Sequence, residues 1–131
     1  MSHLLHVSFL LACGWSSHPK HTAARAWLER QAAFATSPLS EVGFVRVSMT
    51  PGYRASFSDS QAALADITSR KQARWLPADL HAAQLPVLAN HAHVTDAYLV
   101  ELARAHGLKL ATLDDKLCNM NWAAGIAENP L

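Results

Sequence analysis

The sequence predicts a three-layer α/β domain: a small, mostly parallel sheet with helices on both faces. Three observations predict it. Short apolar runs of strand length alternate with helical patterns, an order that calls for crossovers between parallel strands. The chain has 131 residues, the size of one ordinary domain with one core. Neither an internal repeat, a Ser/Gly linker nor a charge block divides it, so residues 1–131 read as a single domain.

Taken in order, Leu4-Leu5-His6 with Val7 reads as a short buried strand, after which Ser8 can cap a helical turn carrying Leu10, Leu11 and Cys13. Pro19 suits the first turn of a longer helix, in which Ala23, Ala24, Ala26, Trp27 and Leu28 continue the pattern to about Ala33. Phe34-Ala35-Thr36 reads as a second strand. Ser37-Pro38 is then a cap followed by proline at the first helical position, opening a helix that carries Leu39, Val42, Val45 and Val47 and stops before Pro51-Gly52. Ser58 to Ala73 is helical in pattern, with Ala62, Ala63, Leu64 and Ile67 on its apolar side, and Trp75-Leu76 is a short strand closed by Pro77. The strongest helix signal starts at Thr95, holds Asp96 in its first turn and Tyr98, Leu102 and Ala105 at helical spacing, and ends at Gly107. Leu108 to Leu113 reads as the last strand, ending at Asp114.

Composition excludes several classes. Half of the residues are hydrophobic and 16% are charged, with 5 Gly and 6 Pro, which rules out disordered and collagen-like chains. Eleven Lys and Arg against ten Asp and Glu leave a net charge of +1, so any nucleic-acid contact must be local rather than by bulk charge. Two cysteines, Cys13 and Cys118, are too few for a disulfide framework, and a reducing cytoplasm is expected. Leu10-Leu11-Ala12-Cys13-Gly14 has the small-residue-then-Cys look of a lipoprotein cleavage site, but Met1 to His6 hold no Lys or Arg and the apolar run is short. No stretch approaches the roughly 20 apolar residues of a membrane span.

An open parallel sheet forms its ligand crevice outside the carboxyl ends of its strands. His6 ends the first predicted strand, Asp114 ends the last, Asp96 opens a helix beside it, and Glu41 sits in the first turn after the second strand. Carboxylates that converge repel one another unless a cation lies between them, so three acids in one crevice point to a hard divalent ion with oxygen ligands. Each acid also has a plainer account: Glu41 and Asp96 suit a helix dipole, and Asp114-Asp115 suits a turn.

These segments resemble a family, the PIN-domain ribonucleases, and specifically the VapC-type toxins of bacterial toxin–antitoxin pairs. The likeness lies in residues 4–12, in Thr36-Ser37-Pro38-Leu39-Ser40-Glu41-Val42-Gly43-Phe44-Val45-Arg46, in Thr95-Asp96-Ala97-Tyr98-Leu99, and in Ala111-Thr112-Leu113-Asp114, with His18, His21 and Trp27 in the first long helix. The four segments occur in order from residue 3 to about 118. The resemblance implies a PIN-like α/β/α fold, acids binding Mg²⁺ or Mn²⁺, endonucleolytic RNA cleavage, a homodimer, and inhibition by a cognate antitoxin. By motif, Glu41, Asp96 and Asp114 fall on the family's metal-binding and catalytic acids, and Thr112 on a polar position near them.

The chain departs from the pattern at the first segment. Such proteins usually read Leu-Leu-Asp-Val-Asn, whereas here Leu4-Leu5-His6-Val7-Ser8 places His6 where the first metal-binding Asp is expected. An imidazole brings no negative charge and offers nitrogen, which suits Mn²⁺, Zn²⁺ or Ni²⁺ better than Mg²⁺. A weakened nuclease is therefore expected, with a decayed, antitoxin-binding toxin as the alternative. Arg46, Arg54, Arg70, Lys71 and Arg74 are candidates for steering RNA through its phosphates. A zinc site on His18 and His21, or on His91 and His93 at strand spacing, is a third possibility. Trp15, Trp27, Trp75 and Trp122 read as core or interface, and Trp27 or Phe34 as walls of an apolar groove for the antitoxin.

Overall fold

Leu4 and Leu5 are both wholly buried, yet they belong to different cores. Successive side chains of a strand point to opposite faces, so a two-sided apolar strand needs cover on each side. The computed structural model describes residues 2–131. Its sheet has five short strands: β1 (His3–Leu5), β2 (Phe34–Thr36), β3 (Ala73–Trp75), β4 (Lys109–Ala111) and β5 (Ala127–Glu128). They run in the order β3-β2-β1-β4-β5, and each neighbouring pair is parallel. The helices are α1 (Val7–Gly14), α2 (His21–Glu29), α3 (Pro38–Ser48), α4 (Phe57–Thr68), α5 (Val94–Ala105) and the single turn α6 (Asp115–Cys118).

On one face Leu5, Phe34 and Ala111 meet Phe9, Leu10, Leu28, Phe44 and Ile67 from α1 to α4. On the other, Leu4, Ala35 and Leu110 meet Leu99, Val100, Leu102 and Ala103 of α5. The result is the expected helix–sheet–helix sandwich, with every strand pair parallel. β1 is central and pairs with both β2 and β4. The strand order therefore reverses between β1 and β4, and this switch point is where an open α/β sheet leaves a crevice.

Local signals explain most boundaries. Ser37 caps α3 by accepting the Ser40 N–H, with Pro38 next to it, and Ser56 caps α4 by accepting the Asp59 N–H. α5 ends at Gly107, whose φ of +68° is the left-handed conformation that glycine adopts at no steric cost.

Several expectations are corrected. α1 is capped by the His6 side chain, which accepts the Ser8 N–H, and not by Ser8. α2 stops at Glu29, four residues before Ala33, and β3 is Ala73–Trp75, not Trp75-Leu76. Asp114 does not follow the last strand: β5 lies beyond it at the sheet edge, and Asp114 caps α6. The fully buried stripe of α3 is Ser40, Phe44 and Ser48, whereas Val42 is 66% exposed. The Ser48 hydroxyl is satisfied, donating to the Phe44 carbonyl and accepting from Trp15 Nε1, while glycines sit where α3 and α1 lie closest. A Cβ at Gly43 would stand 2.5 Å from Val7 Cγ2, and one at Gly14 would stand 2.7 Å from the Phe44 ring. Trp27 and Phe34 are buried, so they line no groove. The exposed apolar groove lies instead between α3 and α4, walled by Val42, Val45, Met49, Phe57 and Leu64. Trp75 is the exception among the tryptophans assigned to core or interface, standing 61% exposed.

Candidate active site

His6 stands at the carboxyl end of β1, where the chain turns into α1, and only 7% of it is exposed. Its Nδ1 accepts the Ser8 backbone N–H at 3.4 Å, so the ring proton is on Nε2, which donates to Asp96 Oδ1 at 2.8 Å. The same Nδ1 is 2.9 Å from Ser8 Oγ and 3.0 Å from Thr112 Oγ1. Those two hydroxyls are 3.1 Å apart, and each also accepts a backbone N–H, Ser8 from Leu113 and Thr112 from Asp114. One hydroxyl proton therefore serves the imidazole and the other serves the neighbouring hydroxyl. This closed network ties α1 and the end of β1 to the end of β4 and to α5.

The acids take up different places around it. Asp96, in the first turn of α5, shares a cavity of about 500 Å³ with His6, Ser8, Leu11 and Arg46. Asp114 uses Oδ1 to accept the Leu117 N–H at 3.2 Å, which leaves Oδ2 without a protein partner among the described residues. It lines a second cavity, of about 490 Å³, with Asp115, His18 and Lys20. Ser8 and Leu11 line both cavities and form the wall between them. Glu41 lies further along, on the groove beside α4, where its Oε2 accepts from the buried Thr36 hydroxyl at 2.7 Å.

The structure thus joins His6 directly to Asp96, puts Asp114 in the neighbouring cavity that shares Ser8 and Leu11, and holds Glu41 in the α3–α4 groove, which shares Arg46 with the Asp96 cavity. Among the described residues, no three His, Cys, Asp or Glu side chains gather closely enough to hold one ion. The His6–Asp96 pair is nonetheless a fitting corner. Two adjacent ligands with bonds of about 2.1 Å at a right angle are about 3 Å apart, close to the observed 2.8 Å. An ion there would replace the shared Nε2 proton, and a proton moved to Nδ1 would cost the bond from the Ser8 backbone N–H. The nitrogen in this donor pair suits Mn²⁺ better than Mg²⁺.

Of the basic candidates, Arg46 lines the Asp96 cavity. Arg70 is engaged with Glu29 and Asp66, Arg74 with the carbonyls of Lys71 and Ala73, and Arg54 with that of Pro51. His91 and His93 occupy a single 3₁₀ turn, not a strand, and His93 packs against Trp122. His21 Nδ1 bonds the Ala12 carbonyl at 2.8 Å. Two site features escaped the sequence: Thr36 as the partner of Glu41, and Ser8 as the clip between α1 and β4. The first was visible only as a polar residue ending an apolar strand, and the second only as a departure from the family's Asn.

Comparison with known proteins matches residues 5–123 to the PIN domain family model. Ribonuclease VapC38 of Mycobacterium tuberculosis is 36% identical over 118 residues, covering 85% of this chain and 84% of the relative. The crystal structure of Mycobacterium tuberculosis VapC20, described as a Sarcin-Ricin loop cleaving toxin, aligns with a TM-score of 0.67 at 18% identity, covering 96% of both chains. VapBC2 from Rickettsia felis, bound to a DNA fragment from its promoter, aligns with a TM-score of 0.64 at 14% identity over 98% of both chains.

Proposed function

The chain belongs to the PIN-domain family, and from that premise we propose that it is a VapC-type toxin, an endoribonuclease hydrolysing RNA phosphodiesters with a bound divalent ion. One observation carries the reading: the hydrogen bond from His6 to Asp96 joins the end of β1 to the acid of α5 at the sheet's switch point. The resemblance assigns Glu41, Asp96 and Asp114 to the ion, Mg²⁺ or Mn²⁺, with His6 in the place of the first acid; of these, Asp96 is the one that contacts His6, and among the described residues no three stand around one point. When bound, a divalent ion lowers the pKa of a water and offsets charge on the phosphoryl group. Asp114 Oδ2 is the oxygen able to accept a proton from the attacking water. Thr36 orients Glu41, and Arg46 meets a phosphate oxygen of the substrate. His6 lowers activity, because it brings no negative charge and already engages Asp96.

A cognate antitoxin and a homodimer complete this proposal, and the likeness to a VapBC complex supports the first. Val42, Met49 and Phe57 are exposed apolar side chains of the α3–α4 groove that such partners could cover. The cytoplasm is the compartment assigned; no helix among the described residues is long and apolar enough to cross a membrane.

The second reading is a decayed PIN domain that binds its antitoxin without cleaving RNA. The separation of Glu41 and Asp114 from the His6–Asp96 pair favours it. RNA cleavage assays in Mg²⁺ and in Mn²⁺ test the two. Loss of cleavage on adding EDTA and in Asp96→Asn supports the nuclease; no cleavage by the unaltered chain in either ion leaves the decayed toxin.

A further inference from the structure

The cavity that holds Asp114 is faced by two residues with no part in the chemistry above, His18 and Lys20. Both belong to the segment between α1 and α2, and Pro19 between them restricts its backbone. The Lys20 backbone N–H donates to His18 Nδ1 at 3.0 Å, so Nε2 carries the ring proton and is a donor. Burial, and then the neighbouring His21, hold the His18 pKa below its ordinary value, which keeps the ring neutral at pH 7. His21 has its Nδ1 turned to the Ala12 carbonyl. The Lys20 side chain is exposed, and no hydrogen bond or ion pair engages its ammonium among the described residues.

The Asp114 cavity and the Asp96 cavity share Ser8 and Leu11 as their common wall. Together they make one path along the switch point: Lys20 and His18 at one end, Asp114 next, then the Ser8–Leu11 wall, Asp96, and Arg46 at the other end. Cations at both ends with carboxylates between them suit an extended polyanion. Its outer phosphates meet the cations while the phosphate undergoing cleavage lies over the acids. A duplex is too wide and stiff to enter two such small cavities, whereas a single strand can bend into them.

We propose that His18 and Lys20 form a binding subsite for a phosphate of single-stranded RNA flanking the cleaved bond, opposite the end held by Arg46. This rests on the nuclease reading and adds to it the direction in which the strand crosses the site. Lys20 supplies the charge, and His18 a neutral, oriented N–H.

The test is fluorescence anisotropy of a labelled single-stranded RNA oligonucleotide on the full chain in EDTA, at several KCl concentrations, paired with a cleavage assay in Mn²⁺. Lys20→Ala is expected to weaken binding about fivefold and to reduce the log–log salt slope by about 0.7, the value for one lost phosphate contact on a single strand. Lys20→Arg should restore both. His18→Ala should weaken binding about threefold with no change of slope, because a neutral donor displaces no counterion. Lys109→Ala is the control: that residue starts β4, at the amino ends of the strands and so at the opposite end of the sheet from the crevice, and should change neither quantity. If the unaltered chain binds and cleaves RNA while Lys20→Ala and His18→Ala behave like Lys109→Ala, the subsite is overturned and the nuclease reading stands. If the unaltered chain binds RNA with these variant effects but does not cleave it, His18 and Lys20 remain an RNA-phosphate contact, while the nuclease reading, and with it a place beside a cleaved bond, falls. Absence of RNA binding by the unaltered chain overturns both.

Discussion

His6 Nε2 and Asp96 Oδ1 lie 2.8 Å apart across 90 residues of sequence, and the hydrogen bond between them ties the end of β1 to the first turn of α5. The imidazole is saturated: one nitrogen donates to Asp96 and the other is engaged by Ser8 and Thr112. This arrangement satisfies the polar atoms of a crowded strand end by hydrogen bonds alone. It also engages the carboxylate that the proposed nuclease would use.

His6→Asp is therefore expected to raise cleavage in Mg²⁺ by about tenfold or more, which corresponds to about 1.4 kcal/mol of transition-state stabilisation. In EDTA the same variant should melt at a lower temperature, because two carboxylates then face each other, and Mg²⁺ should restore it. Equal cleavage by both chains in Mg²⁺ would remove the claim.

Thr36→Val keeps the shape of a buried side chain but withdraws the hydroxyl that Glu41 accepts from. If Glu41 acts in catalysis, kcat should fall about tenfold with little change in KM, as for a lost transition-state interaction. Thr36→Ser should recover most of it. Full kcat in Thr36→Val together with a loss in Glu41→Gln would show that Thr36 does not position Glu41; full kcat in both would remove Glu41 from catalysis.

Gly43→Ala and Gly14→Ala each press a methyl group into the α1–α3 contact, against Val7 and Phe44 respectively. Each should lower stability by about 1–3 kcal/mol, the usual cost of overpacking, read as a lower urea midpoint with an unchanged slope. Gly43→Ala should also reduce any RNA cleavage, since Gly43 and Val7 line the Asp96 cavity. An unchanged urea midpoint in both variants would show that the two helices separate freely.

Burial pushes the Cys13 thiol up from 9.0 to about 12, with Arg25 and Arg70 opposing the shift only in part. The neutral thiol is the form the core accepts, so its contribution to stability is complete below pH 9 and is lost as pH rises toward 12. In the folded chain at pH 8, Cys13 should resist a thiol reagent that labels both cysteines in urea. Rapid modification of both cysteines without urea would contradict this.

Much of the architecture was legible because its signals are local. Phe34-Ala35-Thr36 followed by Ser37-Pro38 marks a strand and a capped helix through backbone chemistry that needs no distant partner. Gly107 stops α5 for the same kind of reason. β5 was not legible, since two residues, Ala127 and Glu128, carry no periodicity and become a strand only through pairing with β4. The apolar side of α3 was misread because a buried serine looks polar in sequence; Ser40 and Ser48 are inside with their hydroxyls hydrogen-bonded, Ser40 with Ser37 and Ser48 with the Phe44 carbonyl and Trp15.

The site divides along the same line. By itself the sequence determined the alternation of strands and helices, the placing of His6, Asp96 and Asp114 at strand ends or helix starts, and the replacement of an expected acid by His6. These follow from short-range periodicity and capping. Tertiary structure alone decided that His6 meets Asp96 and caps α1, that Thr36 holds Glu41, and that Asp114 shares its cavity with His18 and Lys20. Hydrogen bonds and cavities of this kind depend on ångström-scale distances between segments far apart in the chain, which periodicity in sequence does not encode.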